Sequence, residues 1–504
     1  MLWRWSLHIT MVNLHPGSML GSVPALPVSA SYITFGHHRA IGPSCCTSAC
    51  RQSSRHGTLT NSLRAGWLCK QQFLRRTKIR LPAGVAVPVS KNRLGLTPTT
   101  INVVKNLAGS VMLSLPEAAA RETGLGSSCM VIVALVAAGA WQFALIGEAC
   151  EAVEQDRKGE DCGDFQKVWA NMIGVRSARV VDVLVFLYAL ATCVFYIPMT
   201  HALCAPLCEA MGVPTGWLGA PLKGIIVLIL FRLGQLRSFK SMTWTSSLGN
   251  SAVILSLGVV LLRSLDGSYG PGGCFHGGAA LHHVASSWSV GPSTALLAMR
   301  LTYAMSCHYN APRYYAQLDR RSAARHRRVG FQAFAVAGLI FLTLTVCGVL
   351  TFGASNCHVP ILSSYAVSDP LASLARWMMV ISSITIYPLI FSAAEQPCNR
   401  LMGTFSEGKE ITEPDKNRVM TLLSSMVCLT GFLLRDLGVF VSLMGAFFCA
   451  AFVWIMPAIL GLATIGKLQN RIGSSVCRRV ACFATLGFGV WQFLYGIAYV
   501  VRGV

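Results

Sequence analysis

Eleven long runs of apolar residues follow one another along the chain from about residue 101 onward, separated by short polar stretches. Each run is close to the length of about 20 residues that a helix needs to cross a bilayer. The runs do not alternate apolar and polar positions, so they do not resemble the strands of a membrane barrel. They predict spanning helices at 101–120, 128–150, 180–206, 217–234, 243–262, 292–312, 329–352, 370–394, 418–434, 437–463 and 480–501. The fourth run is the least regular, because Pro221 and Lys223 interrupt its start.

The composition agrees with this pattern. The 504 residues are 53% hydrophobic and only 12% charged, and the mean hydropathy is +0.54. Soluble proteins carry about 25% charged residues. A chain this apolar cannot cover a water-exposed surface, which argues against a soluble globular enzyme and excludes a disordered or fibrous protein. The predicted fold class is an all-α multi-pass membrane protein.

The formal net charge of +22 would indicate a nucleic-acid partner in a soluble protein, so the positions of the charges matter. Residues 1–98 contain no Asp or Glu and are rich in Ser, Gly, Pro and His. This stretch predicts a disordered basic tail, with a transit peptide or a wrongly extended gene start as alternatives. Residues 99–504 form the predicted transmembrane domain.

The remaining basic residues are concentrated in alternate loops, and the loops between these carry few. The basic loops are 151–179, 235–242, 313–328, 395–417 and 464–479. By the positive-inside rule, these loops and the N-terminal tail lie in the cytoplasm, and we call this the inner side. The positive charge then faces the anionic inner leaflet of a lipid bilayer, and no nucleic-acid partner is expected. The plasma membrane and a vacuolar or lysosomal type of organelle both remain open.

Nine of the 19 cysteines lie inside predicted spans, where cysteine behaves as a small apolar residue. Cys274 and Cys357 instead lie in two predicted outer loops, 263–291 and 353–369. They are candidates for a disulfide, and two free thiols are the alternative. No CxxC pair occurs, so neither a metal site nor a cofactor is expected.

Two of the predicted spans contain features that interrupt a helix. The first has Gly109 and Ser110 at its middle, with Pro116 beyond them, and the sixth has a polar cluster followed by Pro312. Broken helices present backbone groups and helix ends to a substrate at the middle of a membrane. Four ordinary spans separate the two, as expected for two inverted five-helix repeats. A small-residue packing face is the alternative for the first span.

The first span resembles the opening helix of the amino acid/auxin permease family in its motif from Asn102 to Pro116. The matching residues are Asn102, Lys105, Gly109, Ser110, Leu113, Leu115 and Pro116. Further matches follow in the family's order: SCHYNAPRYYAQL at 306–318, GVLTFG at 348–353 and a Tyr-Pro pair at 387–388. The resemblance covers about 101–464 and implies a leucine-transporter-like fold of eleven helices and secondary active transport of amino acids.

Substrate binding is predicted at the two breaks. The resemblance implies that backbone groups at Gly109, Ser110 and Val111 bind the substrate carboxylate, while spans six and eight shape the side-chain pocket. The candidate residues of span six are Ser306, His308, Tyr309 and Asn310. His308 has the alternative of an internally satisfied polar group. Val111 stands where the family has a second glycine, which leaves the substrate open, and Gln317 stands where the family has glutamate.

The coupling ion is predicted from Lys105. Sodium-coupled members of the family resemble one another in having asparagine here, and proton-coupled members often have lysine. An ammonium near a cation site repels or replaces sodium, so proton-coupled or sodium-independent transport is favoured. Snorkelling of Lys105 to lipid phosphate is the alternative. Ser382, Ser383 and Thr385 are candidates to line the cation site, with back-bonding to their own helix as the alternative.

Two charges lie inside predicted spans on the outer sides of the two breaks, Glu117 and Arg300. An unpaired charge in this position costs several kcal/mol. We therefore predict that the two side chains pair as part of an outer gate, with separate contact to water as the alternative.

The sequence is consistent with two functions. The first is a secondary amino acid transporter that works by alternating access. The second is a transport-poor amino acid sensor of the same fold that signals through its basic tail, which Val111 and the length of the tail favour. A membrane enzyme has little support, because no catalytic motif is in place.

Overall fold

The computed structural model describes residues 93–121, 123–156, 162–213, 215–235, 243–275, 288–354, 356–405, 412–467 and 476–501. The predicted tail, 1–98, lies outside these residues except for 93–98. Within the described ranges all regular secondary structure is helical, apart from one bridge pair between Leu94 and Leu318.

Sixteen α-helices occupy the described ranges, and several of them meet end to end as pieces of one broken span. They are α1 Leu96–Leu107, α2 Leu115–Ala120, α3 Leu125–Asp156, α4 Phe165–Met172, α5 Val175–Ala210, α6 Thr215–Gly234, α7 Thr243–Leu265, α8 Pro292–Ala304, α9 Ala311–Gln317, α10 Ala323–Phe352, α11 Pro370–Ala393, α12 Glu395–Phe405, α13 Glu413–Leu433, α14 Leu437–Met444, α15 Met456–Lys467 and α16 Val476–Val501. Three 3₁₀ turns lie at Ser110–Ser114, His308–Asn310 and Ile361–Ser364, and a π-helix lies at Gly445–Ile455.

Each of the eleven apolar runs is occupied by one helix or by successive helical pieces. The irregular fourth run forms α6, which continues through Pro221. Lys223 Nζ of this helix donates a hydrogen bond to the Leu434 carbonyl at 2.6 Å and lies 5.9 Å from the centre of the Phe432 ring. These contacts hold its ammonium against the end of α13. Helices α4 and α12 lie in stretches that the sequence analysis treated as loops.

Six helices in the described part of the chain are long and apolar enough to cross a membrane on their own. They are Leu125–Asp156, Val175–Ala210, Ala323–Phe352, Pro370–Gly403, Leu437–Gly466 and Val476–Val501. Several such helices in one chain are consistent with the predicted multi-pass membrane protein. The count of eleven spans, the inverted repeats and the leucine-transporter-like arrangement stay predictions.

Glycines allow α3 and α10 to pack closely against each other. A Cβ atom at Gly147 of α3 would lie 2.3 Å from His326 Nδ1 of α10, and one at Gly330 of α10 would lie 2.8 Å from the Phe143 ring of α3. A methyl group does not fit at such distances, so larger residues would push the two helices apart. Small residues at helix contacts are typical of membrane proteins.

A buried carboxylate, Asp369, joins the last turn of α7 and the segment after it to the start of α11. Arg263 Nε and Nη2 donate to its two oxygens at 2.9 and 2.7 Å, and Tyr269 Oη donates at 3.0 Å. The Leu371 and Ala372 N–H groups also donate to Asp369, which caps α11. Burial raises the pKa of Asp369, but the hydrogen bonds from Arg263, Ala372 and Tyr269 outweigh it, so the pKa lies below its ordinary value.

We expect Asp369→Asn to lower the free energy of unfolding by about 2 kcal/mol at neutral pH, because Arg263 loses a charged acceptor that it contacts in a bidentate pair of hydrogen bonds. Since the native pKa is lowered, the stabilisation is present above the ordinary pKa of 3.8 and is lost as pH falls through the native pKa. Thermal unfolding of the solubilised protein at decreasing pH measures this. The melting temperatures of wild type and variant should converge in acid, and a difference that stays constant at all pH values contradicts the assignment.

Candidate functional site

The first span is broken at the predicted position. Helix α1 ends at Leu107, Gly109 is extended at φ −98° and ψ −179°, and a 3₁₀ turn from Ser110 leads into α2. Pro116 is the second residue of α2, where a missing N–H costs no helical hydrogen bond. The first N–H groups of a helical segment have no partner within it, so the break presents polar backbone from Ser110 onward.

The sixth span is also broken where the polar cluster predicts it. Helix α8 ends at Ala304, and a 3₁₀ turn at His308–Asn310 separates it from α9. Pro312 lies in the first turn of α9. The carbonyl end of α8 therefore faces the break, opposite in polarity to the N–H groups of the first break.

The two broken helices lie beside each other. On their inner halves, Asn106 Nδ2 of α1 donates to Tyr314 Oη of α9 at 3.0 Å. The backbone before α1 pairs with the end of α9, because the Leu94 N–H donates to the Gln317 carbonyl and the Asp319 N–H donates to the Leu94 carbonyl, each at 2.8 Å. On the outer halves, α8 packs against the first 3₁₀ turn and α2. The structure thus places the predicted substrate segments of both spans in one region.

Aromatic side chains surround the second break. Tyr188 Oη of α5 is hydrogen-bonded to Ser306 Oγ at 2.8 Å, and the Tyr188 ring centre lies 5.4 Å from that of Tyr309. The ring centre of Phe452, in the π-helix, lies 5.6 Å from that of Tyr188 and 5.9 Å from that of Tyr309. Tyr309 and Val111 are half-buried, so each keeps part of its surface open. Tyr188 and Phe452 were not predicted, because both are ordinary residues of apolar runs with no sequence signal of their own.

His308 is directed away from the aromatic residues of the break, and its role in binding substrate stays a prediction. Its side chain is fully buried, and Nε2 makes a hydrogen bond with the Gly139 carbonyl of α3 at 2.9 Å. The ring meets Phe143 and Phe334 edge-on, with ring centres 5.9 and 5.6 Å apart. These contacts hold the break against α3, while the buried Nδ1 atom of His308 has no hydrogen-bond partner among the described residues. Asn310 is half-buried at the end of the turn.

The four candidates for ion coupling lie on two helices. Lys105 is half-buried in the last turn of α1 and forms no ion pair with any described residue. On α11, Ser382 faces α7, since a Cβ at Gly249 would lie 3.2 Å from its Oγ. Ser383 Oγ is buried with no hydrogen-bond partner among the described residues, so it keeps an unused oxygen. The Thr385 hydroxyl donates to the Ile381 and Ser382 carbonyls. This is the hydrogen bonding to its own helix that was the alternative to a cation site.

Glu117 and Arg300 form a buried ion pair between α2 and α8, with side-chain exposures of 7% and 3%. Arg300 also donates from Nη1 to the Ser114 carbonyl at 3.0 Å and from Nε to Ser442 Oγ of α14 at 3.1 Å. Arg121, an exposed residue one turn after Glu117, contacts the other carboxylate oxygen at 2.5 Å. The predicted contact between the two intramembrane charges is thus present, and its role as a gate stays a prediction.

The tenth span changes helix type at its middle, which the sequence analysis missed. Residues Gly445–Ile455 form a π-helix between α14 and α15. Gly445 lies directly against the backbone of α8, because an added Cβ would be 1.8 Å from the Met299 carbonyl oxygen. Short π-helical segments are frequent at functional sites. This one places Phe452 beside the second break.

The predicted disulfide between Cys274 and Cys357 is wrong for this structure, which contains both as free thiols. Cys274 is exposed and Cys357 is buried. Burial raises the pKa of the Cys357 thiol well above its ordinary value and keeps it protonated. The predicted bridge rested on placing both loops on the same side of the membrane, and spacing along the chain does not determine how two loops meet.

The family model for transmembrane amino acid transporter proteins matches residues 93–502, which include both breaks and all the candidate residues. The chain belongs to this family. The resemblance that the motifs of spans one, six, seven and eight indicated is therefore confirmed.

Relatives of this transporter family match over most of the chain at low identity. Sodium-coupled neutral amino acid transporter 7 of Xenopus laevis is 22% identical over 413 residues, 78% of this chain and 85% of the relative. Solute carrier family 38 member 8 of Mus musculus is 22% identical over 439 residues, 82% of this chain and 96% of the relative. The name of the first relative includes sodium coupling, which differs from the proton-coupled or sodium-independent transport that Lys105 predicts.

Proposed function

We propose that this protein is a secondary active transporter that moves amino acids across its membrane by alternating access. The observation that carries the proposal is the pair of adjacent breaks, at Gly109 and at Met305–Cys307, in a member of an amino acid transporter family. Free N–H groups at one break and helix-end carbonyls at the other suit a carboxylate and an ammonium group. These two groups are common to all amino acids.

The substrate class that suits the second break is a neutral amino acid. The side chains around it are the uncharged rings of Tyr188, Tyr309 and Phe452 and the hydroxyl of Ser306. A charged substrate side chain buried among them would have no opposite charge to pair with. The Xenopus laevis relative carries the word neutral in its name, in agreement with this substrate class. Val111 adds bulk beside Ser110, which favours a substrate with a small side chain.

We propose that transport is coupled to protons or is independent of sodium, because of the position of Lys105. Its ammonium lies in the last turn of α1, one turn before the break, and no described carboxylate pairs with it. A fixed positive charge in this position opposes the binding of a sodium ion nearby, and the repulsion is large where little water is present.

Uptake of a labelled neutral amino acid into proteoliposomes tests the coupling. Wild type should take up substrate without sodium, and a gradient of one pH unit should support up to about tenfold accumulation for each coupled proton. Lys105→Asn should reduce uptake driven by the pH gradient and make sodium stimulate it. Lys416→Asn, which removes a lysine far along the chain on α13, is the matched control and should behave as wild type.

The possible outcomes separate the coupling ion from the transport function. Uptake that requires sodium in the wild type contradicts the proposed coupling and leaves transport intact. Binding of the amino acid without uptake under any ion gradient contradicts transport and favours the sensor.

A further inference from the structure

The loop between α9 and α10, with the first turns of α10, concentrates positive charge. Residues 313–328 contain six arginines and one acidic residue, Asp319. The arginines are Arg313, Arg320, Arg321, Arg325, Arg327 and Arg328. Arg93 is exposed on the segment that pairs with the start of this loop through Leu94. We call these seven residues the arginine surface.

Most of this charge has no acidic partner. Arg321 pairs with Glu154 at 2.8 Å, whereas the other members of the arginine surface form no ion pair with any described residue. Two basic residues of α13 differ, since Lys416 pairs with Glu413 at 2.7 Å and Arg418 lies 3.8 Å from Asp415. Among the described residues, the arginine surface therefore carries charge that is largely unneutralised, unlike the paired residues of α13.

The position of Arg327 and Arg328 indicates what meets this charge. Both are exposed at the start of α10, and the exposed apolar side chains of Phe331 and Leu339 follow one and three turns later, at 45% and 65% exposure. Exposed apolar side chains along a spanning helix face lipid chains. The predicted span 329–352 begins directly after the two arginines, so the positive-inside rule predicts them at the level of the inner lipid headgroups.

The backbone at this point adds to the attraction for an anion. Helix α10 begins after Ser322, whose Oγ accepts a hydrogen bond from the Arg325 N–H at 3.3 Å, so the positive end of the helix is directed at the loop. Arg320 has a left-handed backbone with φ 47°, which is rare for a residue other than glycine. Such a conformation is held by its surroundings and is common where a side chain has a specific task.

We propose that the arginine surface binds the headgroup of an anionic phospholipid of the inner leaflet. Guanidinium groups bind phosphate oxygens in pairs of hydrogen bonds, and clustered arginines beside a spanning helix are suited to anionic headgroups. The bound lipid contacts the loop that pairs with Leu94, and Thr100 Oγ1 of α1 donates to Gln332 Oε1 of α10 at 3.3 Å. A headgroup in this place steadies the inner half of the first broken span.

The test measures lipid retained by the full-length protein in detergent, by native mass spectrometry, with added phosphatidylserine or phosphatidylcholine. Wild type should retain phosphatidylserine in preference. Arg327→Gln with Arg328→Gln should weaken this binding by about 30-fold, because each arginine near an anionic lipid surface contributes several-fold. Lys416→Gln with Arg418→Gln removes the same charge from paired residues and should change binding by less than about threefold.

The readout does not depend on transport, so failure of the proposed function leaves this test intact. Equal losses in the two double variants show attraction to net charge alone and overturn the proposal. Binding of inorganic phosphate in place of lipid, with displacement of phosphatidylserine at equal concentration, assigns the surface to a free anion and also overturns it.

Discussion

Replacement of Gly445 by alanine is expected to prevent the protein from reaching a stable fold. The new Cβ would lie 1.8 Å from the Met299 carbonyl oxygen and 2.5 Å from its carbon, both of which are backbone atoms of α8. Neither atom can rotate away as the end of a side chain does, so the π-helix and α8 must separate. We expect a loss of at least about 4 kcal/mol in the free energy of unfolding. The yield of monodisperse protein and its thermal unfolding measure this.

Gly487→Ala is the matched control for this prediction. Gly487 lies in α16, and an added Cβ there meets no atom within 4 Å. Alanine is the better helix former by about 1 kcal/mol, so this variant should be as stable as wild type or more stable. A Gly445→Ala protein that unfolds at the wild-type temperature would show that α8 and the π-helix are not in contact at this point.

Removal of either charge of the buried ion pair is expected to have the next largest effect. Glu117→Gln should cost about 3–5 kcal/mol, because Arg300 stays buried without a charged partner. Arg300→Gln leaves Glu117 its contact with the exposed Arg121, but it also removes the hydrogen bonds to the Ser114 carbonyl and to Ser442, so we expect a loss of similar size. If the pair closes the outer side of the site, both variants should also lose amino acid uptake.

The double exchange of Glu117→Arg with Arg300→Glu separates pairing from simple burial. We expect it to recover part of the stability and uptake that the single exchanges Glu117→Arg and Arg300→Glu lose. Arg121→Gln is the control, because Arg121 is 57% exposed and contributes less than about 1 kcal/mol in such a position. An exchange that recovers nothing contradicts the idea that these two charges act through each other.

Those parts of the structure that follow from local chemistry were predictable from the sequence. Apolar runs require helices wherever lipid surrounds the chain, and each of the eleven runs is helical. Gly109 and the cluster at Ser306–Asn310 place the two breaks, because these residues weaken or compete with helical hydrogen bonds. The contact of Glu117 with Arg300 followed from the cost of an unpaired intramembrane charge and from the family resemblance.

What depends on packing between distant segments was not predictable in the same way. His308 belongs to a polar cluster in the sequence, yet a carbonyl of α3 at Gly139 takes its ring away from the aromatic side of the break. Tyr188 and the π-helix lie in uninterrupted apolar runs, where nothing local distinguishes a residue near the site from one that faces lipid. Cys274 and Cys357 show the same limit, since loop order along a chain does not fix loop contacts.

The measurement that tests the central claim most directly is counterflow in proteoliposomes that hold the full chain and an unlabelled neutral amino acid. Alternating access predicts that labelled amino acid added outside enters and transiently exceeds its equilibrium level, in the absence of any ion gradient. The effect should disappear in Arg300→Gln and persist in Arg121→Gln. Wild-type vesicles that bind the labelled amino acid but accumulate no more of it than protein-free vesicles would contradict the transporter and leave the sensor.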